Sequence, residues 1–517
     1  MKNGTVLLLC ALTIARAEQI TIDFTDTAAS GSPHVFGGTQ PRGLSDSQWD
    51  ILQEQGFTFM RSQADLASLV PCDSPEEYLD NSGGCADPDN WNWSGGIYGN
   101  DFAQKAIDRG MSVCLVIKNA TWNRYDGAPV DEETMPRNLD VHEDIIRTII
   151  NHYQGGVTYI ENFNEIDRRS GGGYPQFRTD GSSYSREEGY KEVVYHAIQA
   201  AKSSDFPDTR VGGPAAMAFG EEEAEWLLSD ERIAPDLGFI SFHDFDNPEY
   251  PREGVERLIA LLDQYDADIP IVRSSHVPEF NRNGGDPGTM HPEYVATHHI
   301  GAFKHGLHGS GLWEIQNRSG GGDPRWWFDG SENPATAKWY IMGSLTLGLG
   351  RGPSTIVSSQ GGEWDQSLGA ITSAGDYVAV FVAKDNAYTA EVRMTGVALE
   401  GEADISVYRG DEQSDGESAI SVLTEPVENG DLSFDIDIPE HSVIGVKVTG
   451  ESTASARPIP HIRQAPASMR GALFDIRGRT VSTAPDPTGA ASRQLPAGVY
   501  ITQSRLTAER MLHAPSR

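Results

Sequence analysis

The chain has 517 residues, with 75 acids against 40 bases and a formal net charge of −35. Such a surface repels nucleic acid and anionic membranes, and polyanionic substrates too unless arginines gather locally. At this length two or three domains are expected, one of which can be a barrel of roughly two to three hundred residues.

In chain order, Met1-Lys2, an apolar run from Val6 to Leu12 and Ala15-Arg16-Ala17 read as a signal peptide over 1-17, a short apolar core before an A-x-A cleavage site. Leu9 stands where a lipid anchor on Cys10 would want a small residue. No other stretch approaches the roughly eighteen uninterrupted apolar residues of a membrane span. The mature chain is therefore expected to be secreted or at the cell surface, with no transmembrane segment and no nucleic-acid partner. Cys72 and Cys85 flank a loop rich in Asp, Ser and Gly. In an oxidising compartment they are a candidate disulfide, the alternative being two free thiols. Cys114, within MSVCLVI, reads as a small buried hydrophobe.

From His34 to about Gly350, β-rich runs alternate with helical patterns. The predicted strands are HVFGG (34–38), FTFMRSQ (57–63), MSVCLVI (111–117), VTYIENF (157–163), RVGGPA (210–215), LGFISFH (237–243), IPIVRS (269–274) and GLWEIQ (311–316). Between them SDSQWDILQEQ, DVHEDIIRTIINHY, SREEGYKEVVYHAIQAAK and PREGVERLIALLDQY carry apolar residues three and four apart. Eight strands in about 300 residues match an α/β fold of the (β/α)8 TIM-barrel type, assigned to 18-350. In that fold chemistry sits where the strands end, so Arg61, Glu165, His243 and Glu314, all at or near such ends, gain meaning together.

After Gly350 short alternating segments such as YVAVFVAK, AEVRMTG, ISVYRG, LSFDIDI and SVIGVKV, separated by turn residues, predict a β-sandwich over 351-450. ITIDFTD (20-26) is a candidate further strand of it. An Ala, Pro and Ser-rich linker follows over 451-466, then a small all-β unit over 467-517 in which arginine dominates.

Glycosidic cleavage needs one carboxylic acid to protonate the departing oxygen and one carboxylate on the opposite face of the sugar. VTYIENFNEID resembles the fourth-strand segment of clan A glycoside hydrolases, in which Asn-Glu supplies the acid/base glutamate and an asparagine for the sugar 2-hydroxyl. The surroundings are most similar to family 39-like enzymes: EEGYKEVVYHAIQAAKSSDFPDTRVGGPA resembles their helix and fifth strand, LGFISFHDFD their sixth, PEFN their nucleophile segment and IPEHSVIGVKV the last strand of their accessory sandwich.

The resemblance implies a glycosidase acting on a polysaccharide or oligosaccharide, with Glu165 as acid/base, Glu279 as nucleophile and Asn164 on the 2-hydroxyl. His243 and Arg61 would orient the nucleophile and hold it ionised. Glu165 would need its pKa raised, which a nearby anionic nucleophile supplies. Trp313 would stack on a sugar face. The spacing departs from the family pattern, which puts the nucleophile at Ser275, and four extended residues can displace a side chain by up to ~13 Å. The segment SSHV must therefore bulge or fold back for Glu279 to serve. Otherwise Glu314 substitutes, or the barrel is a non-catalytic carbohydrate-binding protein.

Trp91, Trp93, Trp122, Tyr125, Trp326 and Trp327 are candidates for sugar stacking, Trp122 foremost, with loop packing as the bland alternative. The histidines of HPEYVATHHIGAFKHGLHG match no named zinc spacing, so no metal and no cofactor is expected. The glycine runs at 171–173 and 320–322 lack the strand-to-helix context of a phosphate loop and read as loops near the cleft. At the end of the chain, MRGALFDIRGRTV followed by LPAGVYITQ resembles a type IX secretion sorting domain through Asp475, Gly478, Arg479, Pro496, Gly498, Val499 and Tyr500. That resemblance implies the secretion machinery as a partner.

Overall fold

The computed structural model describes residues 17–452 apart from 42, 119–135, 137, 168–177, 180–181, 184, 246–248, 277–291, 314, 316–334 and 412–413, together with 473–474, 480–482, 500–501 and 510–511. The signal-peptide segment up to residue 16, most of the linker and the glycine runs lie outside the described residues.

Eight parallel strands close into a barrel: β1 (Gly37–Thr39), β2 (Phe59–Asp65), β3 (Ser112–Lys118), β4 (Val157–Asn162), β5 (Arg210–Ala216), β6 (Phe239–Asp244), β7 (Ile271–His276) and β8 (Gly309–Leu312). Each pairs with its neighbours in chain order, and β8 closes on β1. The last strand lies two residues earlier than the run GLWEIQ suggests, because Gly309 and Ser310 pair with Val272 and Arg273. Trp313 consequently stands just beyond the strand. Glycine at position 37 is required by close approach: a Cβ there would sit 2.5 Å from both a Phe59 ring carbon and the Ser310 carbonyl.

Helices α1 (Asp46–Glu54), α2 (Tyr98–Asp108), α3 (Leu139–His152), α4 (Arg186–Ser203), α5 (Glu221–Ser229), α6 (Arg252–Gln264), α7 (Pro292–Lys304) and α8 (Ala335–Tyr340) follow the successive strands. Ser45 and Ser185 start α1 and α4 with reciprocal capping boxes to Gln48 and Glu188, and the Asn138 side chain caps α3. Along α3 Val141, Ile145, Ile146, Ile149 and Ile150 are buried, each stabilising the layer by about 1.5–3 kcal/mol.

Inside the barrel Phe59, Cys114, Tyr159, Phe239 and Val272, one from each of β2, β3, β4, β6 and β7, form a separate apolar plug. Tyr159 packs edge-on against Phe239 with ring centroids 5.1 Å apart. Strand alternation puts the residue two further along on the same inward face. On β2 and β4 those residues are Arg61 and Glu161, so the interior turns from apolar to charged as it approaches the mouth.

The second layer is a ten-stranded, mostly antiparallel sheet. Its strand Ala17–Gly31 lies between Ser354–Gln360 and Tyr388–Thr395, antiparallel to the first and parallel to the second. This early segment thus belongs to the later β-module, although the barrel is inserted between them. Leu432–Ile438 alternates buried and exposed residue by residue, as its sequence predicts. Tyr377–Ala383 is buried on both faces. Its Tyr377, Ala379 and Phe381 enter the sheet's own core with Ile20, Val392, Ile405 and Phe434, while Val378, Val380 and Val382 join the core of the barrel's helical layer.

Cys72 and Cys85 form a disulfide with their Cα atoms 5.1 Å apart, and Cys114 is a buried free thiol. Among the described residues no helix is long and apolar enough to cross a membrane. Residues 459–517 make a separate unit, whose described residues form a four-stranded antiparallel sheet of Leu473–Phe474, Thr480–Ser482, Tyr500–Ile501 and Arg510–Met511.

Candidate active site

Beyond β4 the backbone turns sharply. Phe163 and Glu165 both adopt the left-handed region, with φ of 64° and 58°. For non-glycine residues this costs on the order of 1–3 kcal/mol each, which surrounding bonds must offset. They do: the Phe163 N–H donates to the Ile117 carbonyl at 3.1 Å and the Glu165 N–H to the Ala215 carbonyl at 2.9 Å. Ala215, itself at φ 53°, donates its N–H to the Ser241 hydroxyl at 3.0 Å. The ends of β4, β5 and β6 are so tied together, and the Met217 N–H donates to Asp167 Oδ1 at 2.8 Å just past the turn.

The tie brings two side chains into contact. Glu165, 8 % exposed, places Oε1 3.2 Å from Nδ1 of His243, which is 1 % exposed. If the carboxyl is ionised it can only accept, so Nδ1 carries the proton; if it is protonated, the imidazole can accept from it. Nε2 of His243 is buried with no hydrogen-bond partner among the described residues. The His243 ring meets Phe245 edge-on at 5.3 Å, and Phe245 meets Trp313 in the same way at 5.8 Å. Trp313 is anchored by its backbone N–H, which donates to the His276 carbonyl at 2.8 Å.

Below Glu165 the guanidinium of Arg61 is held inside the barrel. Its Nε and Nη2 lie 2.7 and 2.5 Å from Oε2 of Glu161, and Nη2 also donates to Asn164 Oδ1 at 3.0 Å. Of the sequence candidates the structure therefore gathers Glu165 with His243, Asn164 with Arg61, and Trp313 through Phe245. Among the described residues His243 contacts the expected acid/base and Arg61 contacts Glu161 and Asn164, while the expected nucleophile Glu279 lies outside them.

Glu279, Glu314, Trp122, Tyr125, Trp326 and Trp327 lie outside the described residues. The described end of β7 carries no carboxylate: Ser275 stands beside His243 in the strand register, and its hydroxyl and that of Ser274 are buried with no partner among the described residues. Trp91 and Trp93 serve packing. The Trp91 N–H donates to the Cys85 carbonyl at 3.2 Å, and the Trp93 ring stacks on His152 at 3.5 Å, at the end of α3 away from the barrel mouth.

The histidine-rich helix α7 also packs into the core. His298 and His299 are fully buried with His276, and burial pushes all three pKa values down, with the neighbouring Arg273 charge adding to the effect. Trp339 donates its indole N–H to His299 Nδ1 at 2.9 Å. Among the described residues no group of three or more His, Cys, Asp and Glu is placed to hold a metal ion. Glu161 and Phe245 were not singled out in the sequence. Only the position of Glu161, one turn of alternation below the Asn-Glu pair on a predicted inward face, could have signalled it.

No protein-family model matches the chain, and no curated protein does. Solved structures do. A glucosidase from Croceicoccus marinus aligns over 84% of this chain and 100% of its own with a TM-score of 0.60 at 15% identity. A GH30 endoxylanase from Clostridium papyrosolvens C71 aligns with the same coverages, a TM-score of 0.57 and 13% identity. A family 44 xyloglucanase from Paenibacillus polymyxa does so with a TM-score of 0.57 and 12% identity. At such identities the likeness is one of fold, and it does not single out family 39. The chain shares with these structures a TIM barrel and carries an attached β-sheet layer.

Proposed function

We propose that the chain is a secreted glycoside hydrolase that cleaves β-glycosidic bonds in a polysaccharide or oligosaccharide with retention of configuration. The observation that carries this reading is the contact of Glu165, held in a left-handed turn at the end of β4, with buried His243. The fold supports it, since glycosidases share it. Glu165 is assigned as general acid and then base, and Glu279 as nucleophile. Asn164 and Trp313 take the sugar, Trp122 adds a stacking surface, and His243 uses its remaining nitrogen toward the nucleophile. In a retaining enzyme the two carboxyls stand about 5–5.5 Å apart. The leading segment and the C-terminal unit, with its resemblance to a type IX sorting domain, support export to the medium or the cell surface.

The test is release of reducing ends from a panel of plant and algal polysaccharides by wild type, Glu165→Ala and Glu279→Ala, with the anomer of the first product read by NMR. Turnover lost in both variants with folding intact, and a product of retained configuration, is expected. An inverted product overturns the assignment of Glu279 as nucleophile. The absence of a carboxylate in Ser274-Ser275-His276 favours a second reading, a carbohydrate-binding barrel without catalysis. Binding without turnover in the wild type would establish that one.

A further inference from the structure

We propose that Glu161 is a positioning residue of the candidate site, fixing through Arg61 which end of the Asn164 amide is presented to a sugar. The proposal rests on the glycosidase reading for its substrate, not for its geometry. Glu161 is fully buried and Arg61 is 1 % exposed. Both guanidinium contacts converge on Oε2, and Oε1 has no hydrogen-bond partner among the described residues. The carboxylate is thus engaged on one side only, by the cation beside it.

A buried ion pair is weak evidence for stability, because an apolar pair of similar volume often does as well. What such a pair does secure is direction. Arg61 has five N–H donors and no acceptor, so the amide atom that faces its Nη2 at 3.0 Å must be Oδ1 of Asn164. That removes the usual ambiguity of an amide's two ends. The NH2 group then lies on the other branch of the planar amide, away from Arg61. Asn164 is set to donate to a sugar hydroxyl oxygen and not to accept from it. Glu161 lies three residues before Asn164, on the far side of the turn at Phe163, so the anion that orients the amide belongs to the rigid strand.

Glu161→Gln keeps the volume and removes the anion. Its crystal structure is expected to show Arg61 displaced and the Arg61–Asn164 contact opened beyond about 3.5 Å. Glu161→Gln and Asn164→Ala should each lower kcat/KM ~10- to 100-fold on substrates bearing the 2-hydroxyl, through kcat more than KM, with no further loss when combined. Neither should matter for a 2-deoxy substrate. Because Glu161→Gln strands a buried cation, the paired change Arg61→Met with Glu161→Met provides a variant without one, expected to match Asn164→Ala. An Arg61–Asn164 contact retained in Glu161→Gln, or additive losses in the combined variant, overturns the proposal. A wild type that turns over no glycoside sinks the functional reading alone, since the crystallographic result still decides the role of Glu161.

Discussion

His243 Nδ1 and Glu165 Oε1 stand 3.2 Å apart across the ends of β6 and β4, both side chains nearly closed to solvent. The contact predicts how loss of Glu165 will read out. A general acid matters most when the leaving group is a poor one, as a sugar hydroxyl is. Glu165→Ala is expected to lower kcat on natural glycosides ~10²- to 10⁴-fold. Aryl glycosides whose leaving groups need no proton should be spared in the first step, so the deficit should shrink with leaving-group acidity. Equal deficits across a leaving-group series would remove Glu165 from the acid role.

The ion pair below the mouth makes a prediction about stability. Arg61→Ala leaves the Glu161 carboxylate buried and unpaired, at a cost of about 3–5 kcal/mol. The double change to methionine should recover most of that. Urea denaturation of the three proteins gives the comparison, and a single variant as stable as the wild type would show that water reaches Glu161.

How far the sequence led can be judged from these residues. The barrel strands were readable because apolar runs bounded by polar punctuation survive in a parallel sheet, and the four quoted helices because their apolar stripes repeat at helical spacing. Glu165, Arg61 and His243 can be grouped from the sequence because strand ends in such a barrel converge, whereas Asn164 enters only through the resemblance to clan A enzymes. Trp91 and Trp93 were not readable, since an aromatic in a loop has the same sequence signature whether it lines a cleft or packs beneath a disulfide. Glu161 sits inside an apolar run, where alternation marks it as inward but only a partner 100 residues away explains it. The offset of β8 is not legible in the sequence because Gly309 and Ser310 carry no strand propensity, and pairing with β7 decides them.

Acid should destabilise the fold well above the usual carboxylate range. Burial pushes the pKa values of His34, His305 and His308 down to about 4 and that of His142 to about 3. These imidazoles stay neutral in the folded chain but take up protons near pH ~6.5 once unfolded. The unfolded state therefore binds more protons below ~6.5, and stability falls as pH drops from there toward about 4. Each group contributes a slope of up to about 1.4 kcal/mol per pH unit in that window. Thermal unfolding followed from pH 8 to 4 should show a plateau and then a steep decline. His142→Met should be shallower, and a flat profile down to pH 5 would mean that these rings are solvated.

The disulfide offers a local test of the loop that carries Trp91. Cys72 and Cys85 are separated by 13 positions, and closing a loop of that size removes unfolded-state freedom worth about 3 kcal/mol in the chain-entropy picture. Reduction should lower stability by that order, with free thiols rising by two per chain. Because the Trp91 N–H donates to the Cys85 carbonyl, loosening the loop should also expose this buried indole. A red shift of tryptophan fluorescence that appears on reduction and is absent in Trp91→Phe is the expected result. The Glu165–His243 contact belongs to the tied ends of β4, β5 and β6 and not to this loop, so turnover per folded molecule should be unaffected. Loss of turnover in step with thiol exposure would instead mean that the stapled loop shapes the site.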